Sequence, residues 1–582
     1  MNGDSPDPLP SPAADRAWAQ VVVRRFAAAT NLLVPGQSFT LVEPTPPNAA
    51  ASARIQGLVG LLEGLGAFPR IAPAGSPTPA GAHVLVDVVP TLDGGDALVP
   101  RLPTRAPADL PAPPHPGPLH VLAPLDSPGR TRVLDEGGRV LLDPHDPRAT
   151  ADPGYGSARI ARASVHMPIT RAAVARLGES GLLEGHRVGL SLVLEPKTAV
   201  LALELAAAGA EVSVFGHAEE TRTDVAVALR EAGLAVFAEA DADPHREARL
   251  ADLFLAQDLD VLLDDGSHLI RRAHDTPHFS ERATRGELTS ADPLSRMIGA
   301  AEETTSGLRP LREWVEAGPG EGIGHLRIPV VASNDARSKT LFDNAYGTGQ
   351  SCLMTILDLL DPEGRGVPLW ERTVALAGYG DVGRGFARLA RALGARVVVA
   401  EIDPVRALRA RMDGLVVGAL VDLSAGADLV VSATGVPRTV TVDVLEALPA
   451  GAVVAVAGGV EDEVALSDAL ASGATWSPVS RAVEDLRLPS GATVRVLDRG
   501  ACINCTAGEG NPVEIMDLSF GVQVAALGYL LREGARLGPG LHPLPKDEDD
   551  AVAASALVDW PPLPTPTTSG TAGAHTPEDH RG

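Results

Sequence analysis

Short apolar runs alternate with amphipathic segments along most of the chain, which is the pattern of parallel strands connected by helices. Near the N-terminus, Ser38–Val42 and His83–Val89 are predicted strands, and Ala53–Leu65 between them has helical spacing. A second unit has a predicted helix at Thr198–Ala208 and predicted strands at Arg187–Leu194, Glu211–Phe215 and Val261–Asp265. The pattern therefore predicts an α/β protein with several units of this kind.

The clearest motif is a glycine-rich turn between a strand and a helix. The predicted strand Thr373–Ala377 is followed by Gly378-Tyr-Gly380-Asp381-Val382-Gly383, then by a predicted helix at Arg384–Leu393 and a predicted strand at Arg396–Ala400. In a dinucleotide site such glycines allow a tight turn, close approach of the backbone to a pyrophosphate and close helix–strand packing. Glu401 ends the second strand, where a carboxylate accepts from ribose hydroxyls and opposes a 2′-phosphate. We therefore predict a Rossmann site for NAD, while the nearby Arg406 leaves NADP open.

Composition narrows the classes of partner. The 582 residues are 45% hydrophobic and 3% aromatic, so we expect two or three soluble domains with cores of Ala, Val and Leu. The formal net charge of −25 argues against a nucleic-acid partner, which requires a basic face. Cys352, Cys502 and Cys505 are the only cysteines, and no second CxxC pair is present to complete a zinc site. We therefore predict reduced thiols and no metal.

Both ends of the chain are rich in Pro and small residues, and we expect disorder over 1–17 and 559–582. The N-terminus has neither the basic start nor the apolar core of a signal peptide. No apolar stretch reaches membrane-spanning length without glycine or charge. We therefore expect a cytoplasmic protein with no membrane partner.

Further motifs resemble those of S-adenosylhomocysteine hydrolases, in that family's own order. They extend over about residues 158 to 557 and comprise Leu263-Asp-Asp-Gly266, Glu302-Glu-Thr-Thr-Ser-Gly307, Asn334-Asp-Ala-Arg-Ser-Lys-Thr-Leu-Phe-Asp-Asn-Ala-Tyr-Gly347, Asp381-Val-Gly-Arg-Gly385 with Glu401-Ile-Asp-Pro-Val-Arg-Ala-Leu408, Glu509-Gly-Asn-Pro-Val-Glu-Ile-Met-Asp-Leu-Ser-Phe520 and Leu544-Pro-Lys-Asp-Glu-Asp-Asp-Ala-Val552. The chain thus resembles a divergent member of this family.

The resemblance implies a Rossmann-type NAD domain inserted in a second α/β domain that binds substrate, with an N-terminal α/β extension in addition. The expected bounds are 18–150 for the extension, 158–345 for the substrate domain, 346–525 for the NAD domain and 526–558 for the return segment. A homo-oligomer and a nucleoside-like substrate are also implied. In this family NAD oxidises the 3′-hydroxyl of a nucleoside, which acidifies the C4′ proton. The 5′ substituent then leaves, water adds and the ketone is reduced again.

The residues of the redox half of that site are present. By resemblance, Lys339 is the base at the 3′-hydroxyl, Asp343 and Asn344 lie beside it, and Glu303 and Asp265 hold the sugar hydroxyls. The further residues implied at the cofactor are Thr304, Thr305, Ser306, Thr434 and, at the nicotinamide carboxamide, Asn504. Composition supports Lys339 independently, because the chain has only three lysines and arginine cannot replace a lysine that transfers a proton.

The substrate half departs from the family pattern. Val193-Leu-Glu195-Pro-Lys197 stands where the family has His-Met-Thr, and Gly459 and Asn511 replace the histidines of its Gly-His-Phe-Asp and Gly-His-Pro motifs. By resemblance the first two missing histidines handle protons at the 5′ leaving group and incoming water, and each such group contributes roughly 10²–10⁴-fold in rate. His268 is either a replacement acid or a solvated loop residue. The family's C-terminal tail, which reaches a neighbouring subunit, is also missing.

Three functions remain open from the sequence. The first is an enzyme that transiently oxidises a modified nucleoside or sugar and then eliminates, epimerises or hydrolyses at adjacent carbons. The second is an authentic S-adenosylhomocysteine hydrolase, which the missing histidines oppose. The third is a non-catalytic NAD-binding regulator, which the retention of Lys339 opposes.

Overall fold

The computed structural model describes residues 12–43, 49–73, 76, 84–89, 118–125, 127–135, 140–141, 154–317, 325–364, 366, 369–459 and 462–559. Within these ranges the strands form three sheets, each with helices packed on it. The structure is therefore of the α/β class that the sequence predicts.

The N-terminal sheet is parallel through four strands and ends in two antiparallel ones. Its strands are β1 Ser38–Val42, β2 Phe68–Ala72, β3 Val84–Val89, β4 Leu119–Pro124, β5 Arg132–Leu134 and β6 Val140–Leu141, in the order β2-β1-β3-β4-β5-β6. Its helices are α1 Pro12–Thr30 and α2 Ala49–Leu65.

Helix α1 corrects the disorder predicted for residues 1–17, because it begins at Pro12. Asp15 pairs with Arg54 of α2 at 3.1 Å, and the indole of Trp18 donates to the carbonyl of Pro124 at 2.8 Å. These long-range contacts order a segment whose composition alone favours disorder. Residues 1–11 and 560–582, over which disorder was also predicted, lie outside the described residues.

The second sheet has seven parallel strands. They are β7 Arg187–Ser191, β8 Glu211–Phe215, β9 Ala235–Phe237, β10 Val261–Asp264, β11 Gly299–Glu302, β12 Pro329–Ala332 and, far along the chain, β21 Gly540–Pro543, in the order β21-β12-β11-β10-β7-β8-β9. The associated helices are α3 Tyr155–Val165, α4 Pro168–Glu179, α5 Pro196–Ala207, α6 Thr223–Glu231, α7 Pro244–Leu255, α8 His268–Ala273, α9 Thr276–Thr284, α10 Thr305–Ala317 and α11 Arg337–Thr340. The direction of strand order reverses between β7 and β10, which is where α/β sheets bind ligands.

The third sheet has the strand order of a dinucleotide-binding fold. Its strands are β13 Thr373–Ala377, β14 Arg396–Ala400, β15 Val416–Val417, β16 Leu429–Ser432, β17 Val453–Val456, β18 Thr475–Ser480, β19 Val483–Arg487 and β20 Thr493–Leu497. The parallel part runs β15-β14-β13-β16-β17-β20, which is the doubly wound 3-2-1-4-5-6 arrangement. The helices of this region are α12 Gly349–Leu360, α13 Asp381–Ala392, α14 Pro404–Met412, α15 Leu420–Ser424, α16 Val442–Ala447, α17 Leu466–Ala471 and α18 Ile503–Thr506.

Helix α19, Val513–Glu533, crosses the boundary predicted at residue 525. It packs on α4 and on β10 and β11 of the second sheet, so the chain returns to that sheet from Val513 onward. Within the described residues this helix, extended to Arg536, is the one long and apolar enough to cross a membrane, but 78% of its apolar window is buried in the protein. It is therefore a core helix. The last helix, α20 Lys546–Asp559, packs against it.

Candidate active site

The carboxyl ends of the strands in the second and third sheets face a common cavity of about 210 Å³. Segments that follow β7, β10, β11 and β12 contribute Val193, Asp265, Glu303 and Lys339, respectively. Segments that follow β13 and β17 contribute Val382 and Gly459 from the opposite side. The fold thus brings together residues that lie far apart in the sequence.

Lys339 lies among polar side chains in this cavity. Its Nζ is 2.6 Å from Oδ2 of Asp343 and donates to Oδ1 of Asn334 at 3.2 Å and Oδ1 of Asn344 at 3.4 Å. Burial alone lowers the pKa of Lys339, but the carboxylates of Asp343, Glu303 and Asp265 outweigh burial and raise this pKa. The lysine is therefore a buried ammonium. Asp343 begins a π-helical turn, Asp343–Thr348, a geometry often found at functional sites.

Glu303 has one oxygen bonded and one free. Its Oε1 accepts from the hydroxyl of Ser519 at 2.6 Å, whereas Oε2 is buried with no hydrogen-bond partner among the described residues. Burial raises the pKa of Glu303 to about 7, although Lys339 opposes the shift. An unpaired buried carboxylate oxygen is costly, so its position in the cavity fits a ligand hydroxyl.

Asp265 and the Thr304–Ser306 segment are held by two carboxylates that the sequence motifs did not single out as functional. Glu302 accepts from the backbone N–H of Gly266 at 3.0 Å, of Ser267 at 2.8 Å and of Thr304 at 2.9 Å. Asp264 accepts from the N–H groups of Leu269 and Ile270 at 3.0 and 2.8 Å. Burial raises the pKa of Asp265, with Lys339 opposing. Thr304, Thr305 and Ser306 all line the cavity.

Asn504 also lines the cavity, and its amide is hydrogen-bonded to protein groups. Its Nδ2 donates to Oδ1 of Asn511 at 3.0 Å, and the thiols of Cys352 and Cys502 lie 3.3 and 3.2 Å from its Oδ1. Asn511, which stands at a missing family histidine, donates to Oδ1 of Asp343 at 2.6 Å. This link from Asn504 through Asn511 and Asp343 to the lysine could not be predicted from the sequence.

The segment between α1 and β1 of the N-terminal extension contacts the loop 509–513 and helix α12. Asn31 Nδ2 donates to the carbonyl of Glu509 at 3.0 Å, and the N–H of Val513 donates to the carbonyl of Asn31 at 2.9 Å. Gln350 Nε2 donates to the carbonyl of Leu32 at 2.9 Å. The extension, whose role the sequence left open, therefore braces both segments that connect the second and third sheets.

The charged residues of the altered substrate half form a buried pair. Nζ of Lys197 is 2.8 Å from Oε2 of Glu195 and also donates to the carbonyl of Glu509 at 2.9 Å. Both side chains are buried in the cavity wall. The opposite charges of Lys197 and Glu195 thus balance each other in the cavity wall.

Of the two roles that the sequence left open for His268, the structure favours the solvated loop residue, because the residue is exposed. Partial burial of its ring, together with His217 and Arg271, lowers the pKa of His268 to about 4. The ring packs edge-on against His217 at a centroid distance of 5.1 Å and is not among the residues that line the cavity. A different residue, Glu220, lines the cavity on this side.

The glycine turn has the geometry that a dinucleotide needs. Gly378 has φ +90°, and a Cβ there would lie 2.8 Å from the carbonyl oxygen of Ala433. A Cβ on Gly383 would lie 2.1 Å from the carbonyl oxygen of Gly378, so the helix packs directly on the turn. At Gly380, by contrast, the first atom met is Nη1 of Arg406 at 3.7 Å, which leaves an open cradle at the N-terminus of α13.

Glu401 closes the other side of this cradle. Its Oε2 accepts from the N–H of Tyr379 at 2.7 Å and its Oε1 from the N–H of Asp403 at 2.9 Å, which orients the carboxylate beside the glycine turn. Asp381 and Val382 begin α13. Thr434 follows β16, and its hydroxyl accepts from the N–H of Val436 at 3.1 Å. These residues fit a bound NAD.

Comparison with known proteins agrees with this geometry. The sequence model described as S-adenosyl-L-homocysteine hydrolase, NAD binding domain, matches residues 348–510. The S-inosyl-L-homocysteine hydrolase of Methanopyrus kandleri is 36% identical over 429 residues, which cover 73% of this chain and 94% of that protein. This chain belongs to the S-adenosylhomocysteine hydrolase family.

Other members of the family are similarly close. The adenosylhomocysteinase of Thermotoga maritima is 36% identical over 403 residues, which cover 69% of this chain and 94% of that protein. That of Aeropyrum pernix is 34% identical over 405 residues, which cover 69% and 92%. The family resemblance drawn from the motifs is confirmed, and the chain is an NAD-dependent enzyme of this family. The roles assigned to individual residues stay predictions.

Proposed function

We propose that this protein hydrolyses a thioether of homocysteine and a purine nucleoside, through transient oxidation of the ribose. The observation that carries the proposal is the buried Lys339–Asp343 pair beside the unpaired Oε2 of Glu303 in a cavity that also meets the start of α13. The names of the relatives favour such a hydrolase over the broader hypothesis of elimination or epimerisation on another sugar.

NAD, when bound against the glycine turn with Glu401 at its adenosine ribose, supplies an oxidant that is restored within one turnover. The chain's own residues then handle protons. Lys339 begins as an ammonium, so it first donates a hydrogen bond to the ribose 3′-oxygen and stabilises negative charge there. The base that takes up the hydroxyl proton is its neutral form, which the raised pKa makes the minor form at neutral pH, while Asp343, whose Oδ2 lies 2.6 Å away, holds Nζ in place.

Glu303 is suited to hold a neighbouring hydroxyl. Its free Oε2 can accept from the sugar, and its pKa of about 7 allows both the protonated and the ionised form near neutral pH. Asp265 lies on the second sheet beside it and completes the polar wall. Oxidation at C3′ makes the C4′ proton acidic, after which the 5′ substituent can leave.

The base of the nucleoside distinguishes the two kinds of relative, since adenine carries an amino group where hypoxanthine carries a carbonyl. Purified protein with NAD should be mixed separately with adenosine, inosine and their 3′-deoxy analogues, and absorbance followed near ~340 nm, where reduced nicotinamide absorbs. A rise with one of the ribonucleosides, and none with its 3′-deoxy analogue, is expected.

The corresponding homocysteine thioethers should release a thiol, which is measured with a chromogenic disulfide reagent. S-adenosylhomocysteine should be a poor substrate, because Val193 and Gly459 replace two proton-handling histidines of the family. No absorbance rise with either nucleoside, together with no thiol from either thioether, would contradict the proposed function.

A further inference from the structure

Glu220 lies close to both positions at which the family's proton-handling histidines are missing. The N–H of Leu194 donates to the carbonyl of Glu220 at 3.1 Å, which places the residue next to Val193. A Cβ on Gly459 would lie 3.5 Å from Sγ of Cys502, a thiol that is close enough to Glu220 to feel its charge. Glu220, Val193, Gly459 and Cys502 all line the same cavity.

The side chain of Glu220 is not committed to any structural contact among the residues that the structure describes. Three other cavity carboxylates have partners, since Asp343 and Glu195 pair with lysines and Glu303 accepts from Ser519, while Asp265 lies in the field of the Lys339 ammonium. Among the residues that the structure describes, the hydrogen bonds of Glu220 are made by its backbone, at its short turn, Ala218–Glu220. Its carboxyl group is therefore available to a molecule in the cavity.

The surroundings of Glu220 also suit proton transfer. Burial and the nearby Asp265 raise the pKa of Glu220 to about 7, while His217 opposes and Glu219 and Glu247 add to the shift. Both forms of the carboxyl group are therefore present near neutral pH, as an acid that must later act as a base requires.

We infer that Glu220 is the catalytic proton donor and acceptor at the 5′ position of the substrate, in place of the missing histidines. The inference rests on the proposed function and adds a residue to it. It follows from one juxtaposition: a carboxyl group with no hydrogen-bond partner among the described residues, next to Val193 and in the wall of the cavity that Gly459 also lines.

A cavity carboxylate, Asp265 or Glu303, takes the C4′ proton, and the C4′ electron pair forms the C4′=C5′ double bond as the C5′–S bond breaks. The electron pair of that bond goes to sulfur, and Glu220 gives its proton to the departing thiolate. Water then adds its oxygen to C5′ and gives one proton to the Glu220 carboxylate, while C4′ takes back the proton that the other carboxylate holds. No oxidant is needed beyond the NAD that the family uses.

Glu220→Gln tests this assignment, because an amide keeps the size of the side chain but cannot donate and accept a proton in turn. Glu219→Gln is the matched control, since it removes one negative charge from an exposed position in the same turn. Each protein is loaded with NAD and mixed with S-inosylhomocysteine or S-adenosylhomocysteine in a single turnover. Reduced nicotinamide is read near ~340 nm and thiol release in parallel.

Glu220→Gln should still form reduced nicotinamide, which shows that it is folded and oxidises its substrate, but the absorbance should persist because the next step is blocked. Its thiol release should be slower by about 10²–10⁴-fold, whereas Glu219→Gln should match the unchanged protein. Glu220→Asp, which keeps an acid, should recover part of the rate.

Two results would overturn the assignment in a working enzyme. One is thiol release by Glu220→Gln within a few-fold of the unchanged protein. The other is an equal loss of both signals in Glu220→Gln and in Glu220→Asp, which would indicate a role outside the 5′ step. If the unchanged protein gives neither signal with either thioether or nucleoside, the proposed function fails, and this inference fails with it.

Discussion

Two glycines of the same turn should respond in opposite ways to the addition of one methyl group. At Gly383 a Cβ would lie 2.1 Å from the carbonyl oxygen of Gly378. Gly378 cannot move away easily, because its backbone N–H donates to the carbonyl of Ala400 at 2.8 Å. Ordinary contacts of this kind are about 3.5 Å, so the helix must move by more than an ångström. Overpacking of this severity costs about 3 kcal/mol, and the melting temperature of the dinucleotide-binding domain should fall by roughly 6–12 °C, the range for a domain of about 150–250 residues.

Gly380→Ala should leave the free protein intact. The backbone there has φ −71°, which any residue adopts, and the new Cβ would meet nothing closer than Nη1 of Arg406 at 3.7 Å. The methyl group would, however, occupy the space intended for the pyrophosphate. Loss of one hydrogen bond to a charged group costs about 1.5–3 kcal/mol, so NAD should bind roughly 10–100-fold more weakly.

Calorimetric unfolding of the NAD-free variants and titration of each with NAD separate the two effects. Gly383→Ala should have a lowered melting temperature, and Gly380→Ala should have a weakened affinity for NAD. If Gly380→Ala binds NAD as tightly as the unchanged protein, the turn does not cradle the pyrophosphate. If Gly383→Ala melts normally, the close packing of α13 on the turn is not as described.

Other substitutions probe other parts of the structure. Lys197→Met leaves the buried carboxylate of Glu195 without its partner, so the free energy of unfolding measured in urea should fall by about 3–5 kcal/mol. Adding Glu195→Gln to the same chain should restore most of this loss. An unchanged free energy of unfolding in the single variant would contradict the pairing. Glu401→Ala should weaken NAD more than NADP, and equal loss for both in parallel titrations would refute its ribose contact. Arg24→Leu should release the N-terminal extension, because the buried guanidinium of Arg24 lies 3.0 Å from the carboxylate of Asp361 in the segment after α12. The extension should then be cleaved faster in limited proteolysis, and unchanged resistance would argue against this contact.

The sequence predicted best where an element is a short apolar run bounded by turn residues. Glu211–Phe215, Thr373–Ala377 and Arg396–Ala400 are observed with the predicted bounds. The helix after the glycine turn begins at Asp381 rather than Arg384, because the last residues of the motif already form its first turn. The strand predicted to reach Leu194 ends at Ser191, since the remaining apolar residues continue into the cavity wall and the core rather than the ladder.

What the sequence could not predict depends on side chains that meet across the fold. The motifs indicated Lys339, Asp343, Glu303 and Asp265, and the structure brings all four together. Nothing in the local sequence distinguishes Glu220 from its exposed neighbour Glu219, because only the packing of the turn against Leu194 directs one of them to the cavity.

The pairing of Lys197 with Glu195 is likewise not visible in the sequence, because it depends on the burial of the first residues of α5. Helix α1 shows the opposite error, since composition favoured disorder where long-range packing imposes a helix.

The central claim is that Lys339 serves the transient oxidation of a ribose, and its most direct test is the absorbance near ~340 nm of NAD-loaded protein mixed with adenosine or inosine. The unchanged protein should show a rise with one of them. Lys339→Arg, which keeps the charge but cannot take up the proton, should bind NAD with similar affinity in a separate titration and show no rise. A near-normal rise in Lys339→Arg would contradict the account.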